Sequence, residues 1–558
     1  MTVPVNAISA TCRQGDVEGG VCADIPWAGG YYGRRVPAAS SPSASPLSIA
    51  ADRVQQLWRT ERNLVLALVA GTVLVLARSA VFLRWEQAGF DSDQAIFGLM
   101  AKHISEGRSF PLFIYGAPYM LGVQAWLAAP LFAIFGPSVA MLKLPVVLVN
   151  VATSGLLIWI LHRDGGLRPL IALISSMFFV LAAPALAAPL VETGGGNPEP
   201  FLYVLLLWLL RARPFAFGLV FGIGFLHREF TLYGLTAIVG LALLDDWRMT
   251  PERWRAIGLA AVGYLVVWQL VRIGFLFSSP TGPGSAIVAP LAAGQNVGAL
   301  FGRACLALST VVPGVVSYFA DYLGIMFGTG DHRLTHFGIR STLRTSIPWV
   351  PAFWPLLGTF FLAMLGRVTW LAVRQRQMPW RGQAAIGSFL FLVGMQAGAA
   401  YAITRCGIAD VGTARYALLS VYAGLGLTAL FFAYEPRRDW RWLATSVLMM
   451  WTAVSATAHV RLVREYLYQE PANSRRDLAT YLVTNRIRYA RADYWTAYAT
   501  TFLSRERVLL ASTDMIRIDD YQRQVDAHRA EAVTVQTTPC AGDGGTEAVA
   551  GMYWVCPD

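Results

Sequence analysis

The chain is short of charge. Only 14% of its 558 residues are Asp, Glu, Lys or Arg, against 55% hydrophobic, whereas a soluble protein carries roughly a quarter charged residues. Lysine is almost missing: apart from Lys102 and Lys143 the basic residues are arginines, and they carry the net charge of +11. Cysteine is sparse and scattered. None of Cys12, Cys22, Cys305, Cys406, Cys540 and Cys556 sits at a metal spacing such as C-x-x-C. Cys540 and Cys556 are near enough in sequence to pair in an oxidising compartment. A secretory signal peptide is excluded at the start, because residues 1–50 have no continuous apolar core. Rich in Ala, Ser, Pro and Gly, they read as a disordered cytoplasmic extension, with an early start codon as an equally plain reading. We place this extension at residues 1–60. Clear internal repeats are also lacking, as is a Gly-rich phosphate loop in the tail from about Arg461 to Asp558.

What the sequence has is long apolar runs. Asn63–Leu83, Ser138–Leu161, Leu170–Leu190, Ile257–Phe277, Trp354–Leu371, Ala384–Ile403 and Arg415–Phe432 are each long enough to cross a hydrocarbon core of ~30 Å. The arginines gather in short loops beside these runs, which suits membrane orientation rather than nucleic-acid binding. Arg53, Arg59 and Arg62 precede the first run and stay inside. The basic loops His162–Arg168, Arg211–Arg213, Arg248–Arg255, Arg374–Arg381 and Glu435–Arg441 then all fall inside too. The rule predicts about eleven spans in a plasma (inner) membrane, with the N-terminus cytoplasmic and the C-terminus extracytoplasmic. It holds if Pro118–Phe135 is an amphipathic or half-buried helix rather than a span. The spanning module is then residues 61–460, with outer loops at 85–137 and 278–348.

From about Arg461 to Asp558 the character changes to a small soluble α/β domain. Asp477–Asn485 and Tyr494–Leu503 read as helices, and Ile487–Ala490, Val508–Ala511 and Ala532–Val535 as strands.

Four polar constellations mark candidate chemistry. Phe90-Asp-Ser-Asp93 follows the first span and precedes the helical pattern Ile96, Leu99, Met100, His103, Ile104. Asp91 and Asp93 suit a general base, with Asp91 favoured as the nearer to the membrane. An N-cap is the plainer role. The loop Glu192-Thr-Gly-Gly-Gly-Asn-Pro-Glu199 places Glu192, Asn197 and Glu199 around three glycines that allow a tight turn or close approach. His227-Arg228-Glu229 interrupts two short apolar segments, where ionisable groups avoid lipid. Arg405 and Arg415-Tyr416 flank an outer loop, where arginine forks can bind phosphate. An ordinary polar turn, local charge pairing and interface anchoring are the respective alternatives. The arginine-based topology, built without these residues, puts all four on one side.

The stretch Phe90–Gly107, with Tyr115-Gly-Ala-Pro-Tyr119, Phe135-Gly136 and Arg415-Tyr416, resembles the GT-C superfamily of polytopic glycosyltransferases. That superfamily includes protein O-mannosyltransferases, lipid A aminoarabinose transferases and RgtA/B/C/D-like bacterial transferases. In layout the likeness covers about Asn63–Phe432. It implies a GT-C-like helical fold, a polyprenyl-phosphate sugar as donor, and a glycan, lipid or protein acceptor whose hydroxyl is deprotonated by Asp91 or Asp93. Inversion at the anomeric carbon would follow, with Arg405, Arg415, His227 and Arg228 taking the leaving phosphate. The superfamily is mixed in metal use, so no cofactor is certain and a divalent cation on Asp91 and Asp93 stays open. The triple glycine, and Ala117-Pro118 in place of the usual Pro-Pro or Lys-Pro, depart from the pattern. The competing class is a transporter or flippase for a lipid-linked or glycan substrate, which would call for paired repeats and midplane charges.

Overall fold

A computed structural model describes residues 46–279, 307–327, 335–336, 339–340, 353–404, 414–540 and 545–557. Residues 1–45, most of the expected outer loop 278–348, and 405–413 with Arg405 lie outside the described residues. The chain divides into two units, residues 1–60 and Glu61–Asp558. The membrane-spanning helices, the sheet domain and the candidate site all belong to the second unit.

Seven helices among the described residues are long and apolar enough to cross a membrane: Glu61–Arg84, Val139–Arg163, Pro251–Leu276, Pro355–Gln375, Ala384–Thr404, Arg415–Tyr434 and Arg438–Tyr468. They coincide with the first, second and seventh to eleventh expected spans. The other four expected spans are shorter. The fourth, fifth and sixth are helices of 12, 14 and 14 residues, Glu199–Leu210, Pro214–His227 and Leu232–Asp245. The third breaks into Pro169–Ser175, Met177–Val180 and Pro184–Val191. The breaks follow from sequence. The Ser176 hydroxyl donates back to the carbonyl of Ala172 (2.7 Å), which disturbs the helical ladder, and Pro184 starts a new helix.

Breaks at membrane depth are tolerated where the freed carbonyls find partners inside the protein. Here the last span supplies them. The Ser455 hydroxyl donates to the carbonyl of Leu181 (2.7 Å), and His459 Nε2 lies 2.7 Å from that of Ala182. From the second span, Asn150 Nδ2 donates to the carbonyl of Leu190 (2.7 Å). Trp451, the largest fully buried side chain, donates through Nε1 to the carbonyl of Phe327 (2.8 Å). Within the expected outer loop 278–348, helical residues between Leu308 and Phe327 place Tyr322, Met326 and Phe327 in the same buried hydrophobic cluster as the spans. The opposite extreme is Pro251–Leu276, whose Ile257, Leu265, Leu270 and Leu276 are exposed and suit a lipid-facing position.

Between the first two long spans, α1 (Pro46–Arg84) is followed by α2 (Ser92–Ser105), a hairpin of β1 (Phe113–Ile114) and β2 (Ala117–Leu121), and α3 (Val123–Phe135). The helix expected from Pro118 therefore begins only at Val123. Gly116 turns the hairpin at φ +67°, and a Cβ there would meet Arg517 at 2.5 Å. Pro118 also biases Ala117 toward extended backbone.

The C-terminal region forms a five-stranded sheet in the order β6-β5-β7-β9-β8, where β5 is Tyr489–Ala492, β6 Leu509–Ser512, β7 Val533–Gln536, β8 Thr546–Val549 and β9 Tyr553–Pro557. The pair β3 (Thr335–His336) and β4 (Ile339–Arg340) lies elsewhere. Pairings of β5 with β6 and β7 are parallel, and those of β9 with β7 and β8 antiparallel. The three expected strands and the helices Ser474–Thr484 and Tyr494–Leu503 are present. Strands β8 and β9 and the helix Asp519–Ala527 are additions. Cys540 and Cys556 form a disulfide with Cα atoms 5.7 Å apart.

This sheet domain is docked on α2. The half-buried Glu506 takes Lys102, Arg108, His103 Nε2 (2.9 Å) and the Tyr521 hydroxyl (2.7 Å). Burial alone would raise its pKa, but the hydrogen bonds and charges of His103, Lys102 and Tyr521 hold it well below the usual carboxylate range. A depressed carboxylate contributes stability that is present above its unfolded pKa of about 4.3 and is lost as pH falls through the folded value. Glu506→Gln should therefore lower the Tm of the detergent-purified chain at neutral pH. The gap from wild type should stay full above about pH 5 and narrow below about pH 4. A gap that is absent, or that widens in acid, would remove Glu506 as the docking charge.

Candidate active site

The residues Phe90 to Asp93 each do something different at the start of α2. Phe90 packs its ring on Phe502 at 5.5 Å between centroids. Asp91 is the N-cap: it is buried, and its Oδ1 accepts from the backbone amide of Gln94 at 3.0 Å. The Ser92 hydroxyl donates to the carbonyl of Trp495 (2.9 Å) and accepts from the amide of Ala499 (3.0 Å), clamping the helix Tyr494–Leu503 against α2. Close approach of the two helices requires Gly98, where a Cβ would stand 2.5 Å from the Phe502 ring. Asp93 faces outward into a cavity of about 500 Å³.

Asp93 is held from two sides. The Tyr494 hydroxyl donates to its Oδ1 (2.6 Å), and Arg415 donates to its Oδ2 (3.1 Å). Burial, and then the charge of Asp93 and its hydrogen bond, push the Tyr494 phenol far above its usual pKa, so Tyr494 remains a donor. The cavity is also lined by Arg228, Glu229, Tyr416 and Arg517, with Tyr115, Tyr119, Tyr233 and Tyr401 forming aromatic walls. Arg228 is buried, lies over the Phe230 ring (5.0 Å) and donates to Met120 Sδ (3.5 Å). The Nε atoms of Arg228 and Arg415 are buried and have no hydrogen-bond partner among the described residues. Arg517 reaches the cavity from the C-terminal domain and also donates to the carbonyl of Gly116 (2.6 Å).

The sequence-predicted residues thus separate into two groups. Asp93, Arg228, Glu229, Arg415 and Tyr416 share the cavity. Asp91, Glu192, Asn197, Glu199 and His227 do not line it and are buried. Several of them shape its wall. Glu199 Oε1 accepts from Gln124 Nε2 (2.7 Å), and Gln124 Oε1 accepts from the Gly195 amide (3.0 Å). Asn197 Nδ2 donates to the carbonyl of Pro189 (3.0 Å), and His227 Nδ1 lies 3.0 Å from the Tyr203 hydroxyl. The glycines serve close approach: at Gly195 (φ +77°) a Cβ would lie 2.4 Å from Met120 Sδ, and Gly194 itself lines the cavity. Tyr494 and Arg517 have no mark in the sequence. Their relation to Asp93 is purely spatial, across 401 positions in the case of Tyr494.

A divalent cation held jointly by Asp91 and Asp93 does not fit this arrangement. Asp91 is turned to the helix end, and both oxygens of Asp93 already accept from Tyr494 and Arg415. Among the described residues no three His, Cys, Asp or Glu side chains group as a metal site.

No protein-family profile and no curated protein matches the chain. Solved structures do. ArnT from Cupriavidus metallidurans bound to undecaprenyl phosphate aligns over 88% of this chain and 97% of its own, at 12% identity and a TM-score of 0.54. The Archaeoglobus fulgidus oligosaccharyltransferase in the apo form aligns over 86% of this chain and 70% of its own, at 13% identity and a TM-score of 0.47. The oligosaccharyltransferase AglB of the same organism, with an inhibitory peptide and a dolichol-phosphate, gives the same coverages at 12% identity and a TM-score of 0.48. The likeness to ArnT is one of fold: this chain shares the helical architecture of that structure, with seven described helices long and apolar enough to cross a membrane, and carries a C-terminal sheet domain.

Proposed function

We propose that the chain is a glycosyltransferase that moves a sugar from a polyprenyl-phosphate-linked donor to an acceptor hydroxyl at the extracytoplasmic face. The observation that carries this reading is one cavity in which a carboxylate and two arginines with unused donors meet. Shared fold with a structure that holds undecaprenyl phosphate adds to it. A carboxylate can take a proton from an attacking hydroxyl, and guanidinium forks complement a phosphate.

In this proposal Asp93, rather than Asp91, is the general base. The acceptor oxygen gives its proton to the Asp93 carboxylate and bonds to the anomeric carbon. The bond from that carbon to the phosphate oxygen breaks, and the lipid phosphate leaves with the electron pair. Attack from the face opposite the leaving group inverts the anomeric centre. Arg415 and Arg228 take up the charge that develops on the phosphate. Arg415 has a further role before reaction. It pairs with Asp93 when no donor is bound, so an arriving phosphate competes for that guanidinium and frees the carboxylate. Tyr494 then holds Asp93 in place through its remaining hydrogen bond.

Incubating the detergent-purified chain with polyprenyl-phosphate hexoses and pentoses, in the presence of candidate acceptors, should release lipid phosphate. Asp93→Asn should cut that turnover by about a hundredfold or more, the scale of losing a general base. Asp91→Asn should turn over nearly normally, because Asn caps a helix about as well as Asp. Equal activity in both variants would reject Asp93 as base, and loss confined to Asp91→Asn would reassign the role. Orientation has its own test. With native thiols replaced, a cysteine at exposed Arg529 should react with an impermeant thiol reagent in intact cells, and one at Arg376 should be shielded. Reversed labelling would overturn the extracytoplasmic placement.

A further inference from the structure

The proposed reaction uses Asp93, Arg228 and Arg415, and it leaves one charged group of the same cavity without a task. Glu229 lines the cavity and is half-buried. It sits where the apolar sequence breaks, in the short 3-10 turn Glu229–Thr231 between the helices Pro214–His227 and Leu232–Asp245. Its backbone carbonyl accepts from the amide of Leu232. Its carboxylate has no hydrogen bond or ion pair among the described residues. Arg228, its neighbour in sequence, does not neutralise it. That guanidinium turns instead to Met120 Sδ (3.5 Å) and to the rings of Phe230 and Tyr416.

The rings fix what stands next to Glu229. Arg228 and Arg415 both lie against Tyr416, with Cζ 5.7 and 5.3 Å from the ring centre. Their buried, unpartnered Nε atoms therefore belong to one neighbourhood. Phe230 meets Tyr416 edge-on at 6.5 Å and stacks on Tyr233 at 6.2 Å, with 7° between the planes. Glu229, Phe230 and Tyr233 thus form the cavity wall beside the place assigned to the phosphate. An unpaired carboxylate there repels a phosphate. Ionised, it only accepts hydrogen bonds, so a phosphate ligand that fits must bring donors with it. A sugar joined to the phosphate through its anomeric carbon does so. Its hydroxyls stand beside the phosphate within reach of a carboxylate, and its C–H face suits an aromatic wall.

We infer that Glu229 holds hydroxyls of the transferred sugar and so separates the loaded lipid carrier from the spent one, an inference that rests on the transferase reading of this cavity. In the loaded carrier the phosphate is a diester with a single negative charge, and the sugar hydroxyls satisfy Glu229. Once the sugar has passed to the acceptor, the phosphate is a monoester, which carries about 1.5 to 2 negative charges at neutral pH. The donors that met Glu229 have left with the product. The unpaired carboxylate then stands beside a more negative phosphate and weakens the hold of Arg228 and Arg415 on it. One side chain thereby favours both entry of the donor and departure of the spent carrier. It takes no part in bond making, which stays with Asp93.

The test is equilibrium binding by the detergent-purified full chain, without acceptor. The ligands are undecaprenyl phosphate and undecaprenyl phosphates carrying single hexoses or pentoses. In the wild type a sugar-loaded lipid should bind about tenfold tighter than the bare lipid, the order of one hydrogen bond to a charged group. Glu229→Ala should bind that loaded lipid about tenfold more weakly and the bare lipid more tightly. Glu229→Gln should gain on the bare lipid and lose less on the loaded one. A side chain that merely supports the fold would weaken both ligands together. Single-deoxy sugars locate the contact: removing the hydroxyl that Glu229 holds should cost the wild type about tenfold and Glu229→Ala almost nothing. Equal affinity of the wild type for bare and loaded lipids, parallel loss of both in Glu229→Ala, or the same deoxy penalty in wild type and variant would overturn the inference. Lipid-phosphate release by the wild type is measured alongside. Release that persists beside any of those results removes only the role of Glu229, whereas neither binding nor release removes the transferase reading as well.

Discussion

The hydroxyl of Ser92 joins two helices that are far apart in sequence. It gives a hydrogen bond to the carbonyl of Trp495 and takes one from the amide of Ala499, at 2.9 and 3.0 Å. With both its donor and an acceptor position used, the hydroxyl is well satisfied in a buried place, where an unpaired hydroxyl would be costly. The bond also fixes the axial register of Tyr494–Leu503 on α2. Register decides the chemistry, because Tyr494 opens that helix and must reach Asp93, one residue beyond Ser92. Gly98 and the ring of Phe502 set the distance between the helices, and Glu506 fixes the far end. The carboxylate proposed as base is thus positioned by the C-terminal domain as much as by the membrane helix that carries it.

A second constraint comes from lipid. Every backbone polar group at membrane depth needs an internal partner. The third segment is broken at Ser176 and again before Pro184, and the carbonyls of Leu181 and Ala182 are released. Ser455 and His459 answer them, four positions apart and so on one face of their helix. Polar residues inside the last span therefore have a plain structural use. Buried polarity in this chain is not by itself a mark of catalysis.

These two constraints account for what was legible in the sequence. Long spans were readable because length and apolarity are local properties, and the arginine-bearing loops punctuate them. In the tail, strands β5 to β7 and two helices were readable from local pattern, since such patterns act over a few residues. The hairpin at Phe113–Leu121 was not, because its apolar sequence fits a helix equally well and only the left-handed Gly116, pressed against Arg517, decides otherwise. The helical residues Leu308–Phe327 were also missed, since the packing of Phe327 is with Phe178 and Trp451, which are distant in sequence. For the site, Asp93, Arg228 and Arg415 were visible as charges at span ends. Tyr494 and Arg517 were not, because a contact across 401 positions leaves no local trace.

The pair Asp91 and Asp93 shows how far spacing alone can carry an assignment. Two carboxylates at i and i+2 look like a joint site. Here they do different things, because the first is the helix cap and the second lies within the first turn. The first residue has the extended backbone of a cap, at φ −142°, which brings its oxygen onto the free amide of Gln94. The second lies in the first turn and lines the cavity. One position is thereby committed to starting the helix and the other is free for Tyr494, Arg415 and a substrate. The capping role of Asp91 and the place of Asp93 on the cavity wall are therefore two results of the same helix start.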